Sequence, residues 1–263
     1  MNERSLILIV VVAAVLAALW YFRDELMPQG EEPVPAAVET PVVEPANDPG
    51  PAHPLEPVEP AATIERELEP LPDLDDSDAY FLLALVDLFG SELEPLLVNE
   101  ALIDRIVATI DNLPRKHVSE KIRPLGRLAD DFSVEATEID EEYFLSADNF
   151  SRYDLIAGLI GSADLDQAID TYRRFYPLFQ ESYVRLGYPD AYFNDRVVEV
   201  IDHLLETPTP DAPIVLLRPH VLYEFADPEL AELSAGQKLL LRMGSAHSDS
   251  IKTVLRDLRT RIE

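Results

Sequence analysis

The chain contains no cysteine. That excludes disulfides, thiolate catalysis, thiolate metal sites and lipid attachment through an N-terminal cysteine. It is also poor in cations, with 21 Lys and Arg against 50 Asp and Glu, for a formal net charge of −29. A surface so negative repels the phosphate backbone of nucleic acid and anionic lipid headgroups, and makes a cationic partner the electrostatic default. No glycine-rich phosphate loop is present: Gly236-Gln237-Lys238 lacks both the upstream glycine and the Ser/Thr that such a loop needs. No nucleophile elbow, metal triad or recurring repeat length can be read, so no cofactor is expected and a helical-repeat array is set aside.

What is present begins with an apolar run. Residues 1–4 form a short tail, and 5–22 read as a transmembrane helix: from Leu6 to Phe22 there is no charge, and Trp20 and Tyr21 close the run where a headgroup interface would lie. The alanines Ala13, Ala14, Ala17 and Ala18 never fall three and one positions before a cut, which argues for a retained anchor over a cleaved signal peptide. Arg4 has no distal acid to offset it, whereas Asp24 and Glu25 follow Arg23 directly. The bias places the N-terminus inside and the rest of the chain outside. Residues 23–70 then read as a disordered linker, since twelve of the 22 prolines lie between Met27 and Pro72 among Glu, Val and Ala.

Beyond this point the hydrophobic period becomes helical, and residues 71–263 read as one all-α or mainly α domain with at most a short hairpin. From Asp73 onward its acidic and basic residues leave a balance of −19. Helices are expected over Asp76 to Phe89, after a capping box at Ser91 and Glu94 as far as Pro114, and from Leu165 to about Leu186 with a kink or fresh start at Pro177. Others are expected over Asp190 to Leu205, Ser234 to Met243 and Ser248 to Ile262. Phe132 to Val134 and Pro213 to Phe225 look extended, the latter as the possible hairpin.

Several segments look familiar. They include Ala108-Thr109-Ile110-Asp111-Asn112-Leu113-Pro114, Asn149-Phe150-Ser151-Arg152-Tyr153, Leu186-Gly187-Tyr188-Pro189 running into Phe193-Asn194-Asp195-Arg196, and Ala235-Gly236-Gln237-Lys238-Leu239-Leu240-Leu241-Arg242-Met243-Gly244. From about Leu71 to the C-terminus the chain resembles an uncharacterised bacterial membrane-anchored family, domain of unknown function 3014. The resemblance implies an envelope protein. It implies no reaction, cofactor or partner.

Four constellations carry the chemistry that is available. Asp73, Asp75, Asp76 and Asp78 are dense enough to hold a hard cation, but they lack the glycine and distal glutamate of a calcium loop and are explained as helix-capping acids. Arg115, Lys116, Lys121, Arg123 and Arg127 form the basic cluster, a candidate for an anionic ligand or, more simply, for internal ion pairs. Between Tyr172 and Phe193 the aromatics follow helical spacing, which favours core packing over a stacking cleft. Asp195, Asp202 and His203 come nearest to a catalytic acid/base set. The competing reading is a structural polar network of Arg152, Asn194, Asp195 and Arg196.

The expected function is a single-pass inner-membrane protein whose acidic helical domain, on the periplasmic side, binds or scaffolds a protein or envelope partner. The alternatives are an envelope hydrolase with an Asp/His site and a periplasmic chaperone-like assembly factor, which an exposed apolar groove would favour.

Overall fold

The computed structural model describes residues 50–55, 70–126, 132–162, 164–220 and 222–262. The anchor 5–22 and most of the linker lie outside them; among the described residues no helix is long and apolar enough to cross a membrane.

The helices are α1 (Asp78–Phe89), α2 (Leu102–Asn112), α3 (Asp148–Ser151), α4 (Asp154–Gly161), α5 (Leu165–Arg185), α6 (Phe193–Leu205), α7 (Pro228–Glu232), α8 (Ala235–Arg242) and α9 (Gly244–Ile262). Among the described residues there are also three short 3-10 turns, Leu74–Asp76, Glu94–Leu96 and Glu120–Ile122. Helix α5 is the longest, opened by the Asp164 carboxylate on the amides of Asp166 and Gln167 and running unbroken through Pro177. Its aromatic stripe is core. Tyr172, Phe175, Phe179 and Tyr183 are buried, with Phe175 4.8 Å from Phe81 of α1 and Phe179 5.8 Å from Phe193 of α6, between ring centroids. Helices α2 and α5 pack together on one side of this core, and α9 lies against α4, α6 and α8 on the other.

The sheet is larger than the sequence suggested. Strands β1 (Val134–Ala136), β2 (Glu142–Leu145), β3 (Val215–Leu217) and β4 (Glu224–Phe225) form one antiparallel sheet in that order. The expected hairpin is there as β3 and β4, but β3 also pairs with β2, Tyr143 opposite Leu216, and β2 with β1. "At most a short hairpin" is therefore corrected to four strands. Strands of two to four residues are too short to display period-2 alternation, and the β2–β3 pairing joins segments far apart in the chain. Its buried face, Leu145, Leu216 and Phe225, packs with Leu241 of α8 as a second, smaller core.

Two helix starts also differ from expectation. Ser91 and Glu94 lead only into a 3-10 turn, Glu94–Leu96. Helix α2 opens later, behind Ala101 in a left-handed conformation (φ 51°), where the Asp78 carboxylate accepts the amides of Ala101 (2.8 Å) and Leu102 (2.7 Å). A cap donated from another helix cannot be seen in local spacing. Helix α9 starts at Gly244, directly after α8, and not at Ser248. Gly244 has φ +79°, and a Cβ there would lie 2.8 Å from the Phe150 ring, so both backbone and space require glycine.

Candidate functional site

A concavity lies where the end of the sheet meets the α8–α9 junction. Its volume is about 380 Å³, within the range of small-ligand and side-chain pockets. One wall is Phe144 and Leu145 of β2, with Glu135 of β1 at the rim; the second is Leu240 and Leu241 of α8 with Ser245 and Ser248 of α9. The third is the segment Pro208–Pro213, three prolines in six residues, which hold that backbone rigid as it climbs to β3. Lys252 of α9 ties down the start of this wall by donating from Nζ to the Thr207 carbonyl at 2.6 Å. Helix α8 is set in place by a complete capping box between Ser234 and Gln237. The polar groups inside are few: the hydroxyls of Ser245, Ser248 and Thr209, and a Glu135 carboxylate that accepts from Ser146 Oγ at 3.0 Å. The lining is otherwise apolar.

Beside the cleft, the stretch from Val134 to Leu145 holds five carboxylates, Glu135, Glu138, Asp140, Glu141 and Glu142, and no cation. Ile139 is 60% exposed there and Phe144 36%. Among the described residues nothing pairs with the outer edge of β1.

None of the residues singled out from sequence lines this cleft; Asn194 and Asp195 converge on His53, and Arg196 and Arg115 on Asp111. Asp195 accepts two consecutive backbone amides, Ala52 (3.0 Å) and His53 (2.7 Å). Asp202 is held by two guanidinium nitrogens of Arg259, one at 3.0 Å. His203 Nε2 lies 2.8 Å from Ser234 Oγ, and burial lowers its pKa. Each of the three is hydrogen-bonded to its own partner. Asn194 is buried and satisfied: its Nδ2 donates to the carbonyls of His53 (2.8 Å) and Ile262 (2.9 Å), and its Oδ1 accepts from Tyr172 (3.1 Å). Thus Gly50–Leu55, which composition assigns to the linker, is strapped onto the start of α6.

Arg196 belongs to a different cluster. Its Nε donates to Asp111 Oδ1 at 3.0 Å, one Nη to the Asp111 carbonyl at 2.7 Å and the other to Glu199 at 3.0 Å. Arg152 is not part of that cluster; it donates to Asn149 Oδ1 beside the sheet. The basic residues are likewise dispersed. Arg115 pairs with Asp111 (2.9 Å), Lys116 with Glu232 (2.6 Å) and Arg123 with Glu120 (3.0 Å). Lys121 stands exposed, and Arg127 lies outside the described residues. The four N-terminal acids are placed separately as well: Asp73 precedes the turn Leu74–Asp76, Asp75 pairs with Arg185, Asp76 ends the turn, and Asp78 caps α2.

Sequence reasoning missed the cleft and Asp111. The first had a signal in Pro208, Pro210 and Pro213, a proline cluster far from the linker. The second had one too, an acid four residues after Val107 on the apolar face of α2.

A family model described as a protein of unknown function, DUF3014, matches residues 102–259, more than half of the chain. No curated protein and no solved structure matches it. The matched span takes in α2, the four-stranded sheet and all but the last turn of α9, and the chain is a member of the DUF3014 family.

Proposed function

We propose that the domain is a non-enzymatic binding module, and that its cleft takes an extended segment of a partner protein carrying alternating apolar and basic residues. The observation that supports this is the apolar cleft opening beside a strand edge that no described residue pairs with, in the most acidic part of the domain. The edge of β1 offers backbone donors and acceptors to an added strand, the cleft takes its apolar side chains, and the carboxylates around Glu135 match its cations. In this reading residues 5–22 hold the protein in the inner membrane, and the proline-rich linker carries the domain outward to a partner on the periplasmic side.

The test uses the full chain in detergent and two short fluorescent peptides, one alternating Val and Lys, the other Val and Glu. Fluorescence anisotropy should show the Lys peptide binding, more weakly as salt is added. Ser245→Trp, which fills the cleft from an exposed position, should weaken it at least about tenfold, or about 1.4 kcal/mol. Equal binding of both peptides, or indifference to Ser245→Trp, would overturn the reading.

A further inference from the structure

A second feature lies on another face of α8. Lys238 and Arg242, one helical turn apart, are only 4% and 5% exposed, yet neither side chain makes an ion pair or a hydrogen bond among the described residues. Side chains at this spacing stand next to each other, so two positive charges share one recess. Arg242 faces the Phe225 ring of β4 at 5.8 Å, a contact that eases but does not neutralise its charge. Its Nε is sealed from solvent without an acceptor, whereas its Nη atoms and Lys238 Nζ are not among the sealed nitrogens. The outer edge of the pair therefore remains within reach of a small ion.

Among the described residues no carboxylate is bonded to either cation. Glu232 is bonded to Lys116, and Glu224 acts on Lys238 without forming an ion pair. Tyr153 lies beside Arg242, but burial pushes its phenol up to about 12, so it stays neutral. Burial, together with the neighbouring Arg242, brings Lys238 down to about 8, and burial brings Arg242 down to about 10, as expected for cations with no bonded carboxylate. In a chain of net charge −29, a buried cation pair left without an acid is unlike the rest of the molecule.

We infer that Lys238 and Arg242 form a binding site for a dianionic oxyanion of the phosphate class, seated between α8, β4 and the start of α4. At neutral pH a phosphate carries between one and two negative charges, and two adjacent cations favour its dianion. The planar guanidinium engages two of its oxygens while the ammonium acts as a point charge. This site is separate from the apolar cleft, and the two proposals stand or fall independently.

The probe is inorganic phosphate, with sodium acetate and sodium chloride at matched ionic strength as controls, added to the full chain in detergent at pH 7. Thermal melting should rise saturably with phosphate and not with acetate. Lys238→Met and Arg242→Met should each raise the Tm without phosphate, because an unpaired buried charge is replaced by an apolar side chain of similar length. Each should also lower phosphate affinity at least about tenfold. Should Arg242→Met not fold, Lys238→Met carries the test alone. The site is refuted by an unsaturable wild-type response, by one retained in Lys238→Met, or by acetate acting as well as phosphate.

Discussion

The Asp111 carboxylate gathers three side chains. It sits on α2 at 3% exposure and collects Arg196, Arg115 and the Tyr188 hydroxyl, at 3.0, 2.9 and 3.3 Å. A carboxylate so enclosed is tolerated only while its partners stay. Removing Arg196 leaves Arg115, whose side chain is 55% exposed and compensates weakly. Arg196→Ala should therefore cost about 2 to 3 kcal/mol in a urea titration, whereas Glu199→Ala, which removes only the exposed partner of Arg196, should change the midpoint little. Equal effects would remove Asp111 from the centre of the cluster. From sequence, Arg196 was legible as a polar residue in need of a partner. That its partner is an acid on another helix was not, because only packing brings α2 and α6 together.

The elements were legible in proportion to their length. Helices α1, α2, α5, α6 and α9 show enough turns for an apolar stripe to declare itself; α3, α4, α7 and the strands do not, and α8, no longer than α4, was legible through Ser234 before it and Gly244 after it. The strap Gly50–Leu55 is the clearest failure of local reading, since its prolines and small residues read as linker. Long-range bonds hold it: Asp195 takes two of its amides, Asn194 one of its carbonyls, and Leu55 packs on the main core. Asp195→Ala should leave the core helices protected from amide hydrogen exchange while the Ala52 and His53 amides exchange freely, at a stability cost of about 1 to 2 kcal/mol. Unchanged protection at those two amides would show that the strap is held without the carboxylate.

For the whole molecule, the strap bears on where the folded unit begins. The core helices all lie beyond Leu71, so a fragment of residues 71–263 should fold alone and melt cooperatively, with a circular dichroism spectrum dominated by helix. A fragment of residues 50–263 should melt higher, by roughly 4 to 8 °C per kcal/mol that the strap contributes in a small domain, and less in one of this size. Coincident melts would mean that the strap contributes no stability; a non-cooperative melt of the shorter fragment would mean that it is needed for folding. By itself the sequence determined the helical class, the acidic and cysteine-free chemistry, and the aromatic face of α5, because composition and period are local properties that survive any arrangement of the elements. Only the tertiary structure decided that four short strands make one sheet and that Asp195, Asp202 and His203 are spent on separate partners. It likewise decided that three prolines wall an apolar cleft and that Lys238 and Arg242 lie buried side by side. Each of these depends on which distant segments exclude water together, and burial between segments leaves no local mark in the chain.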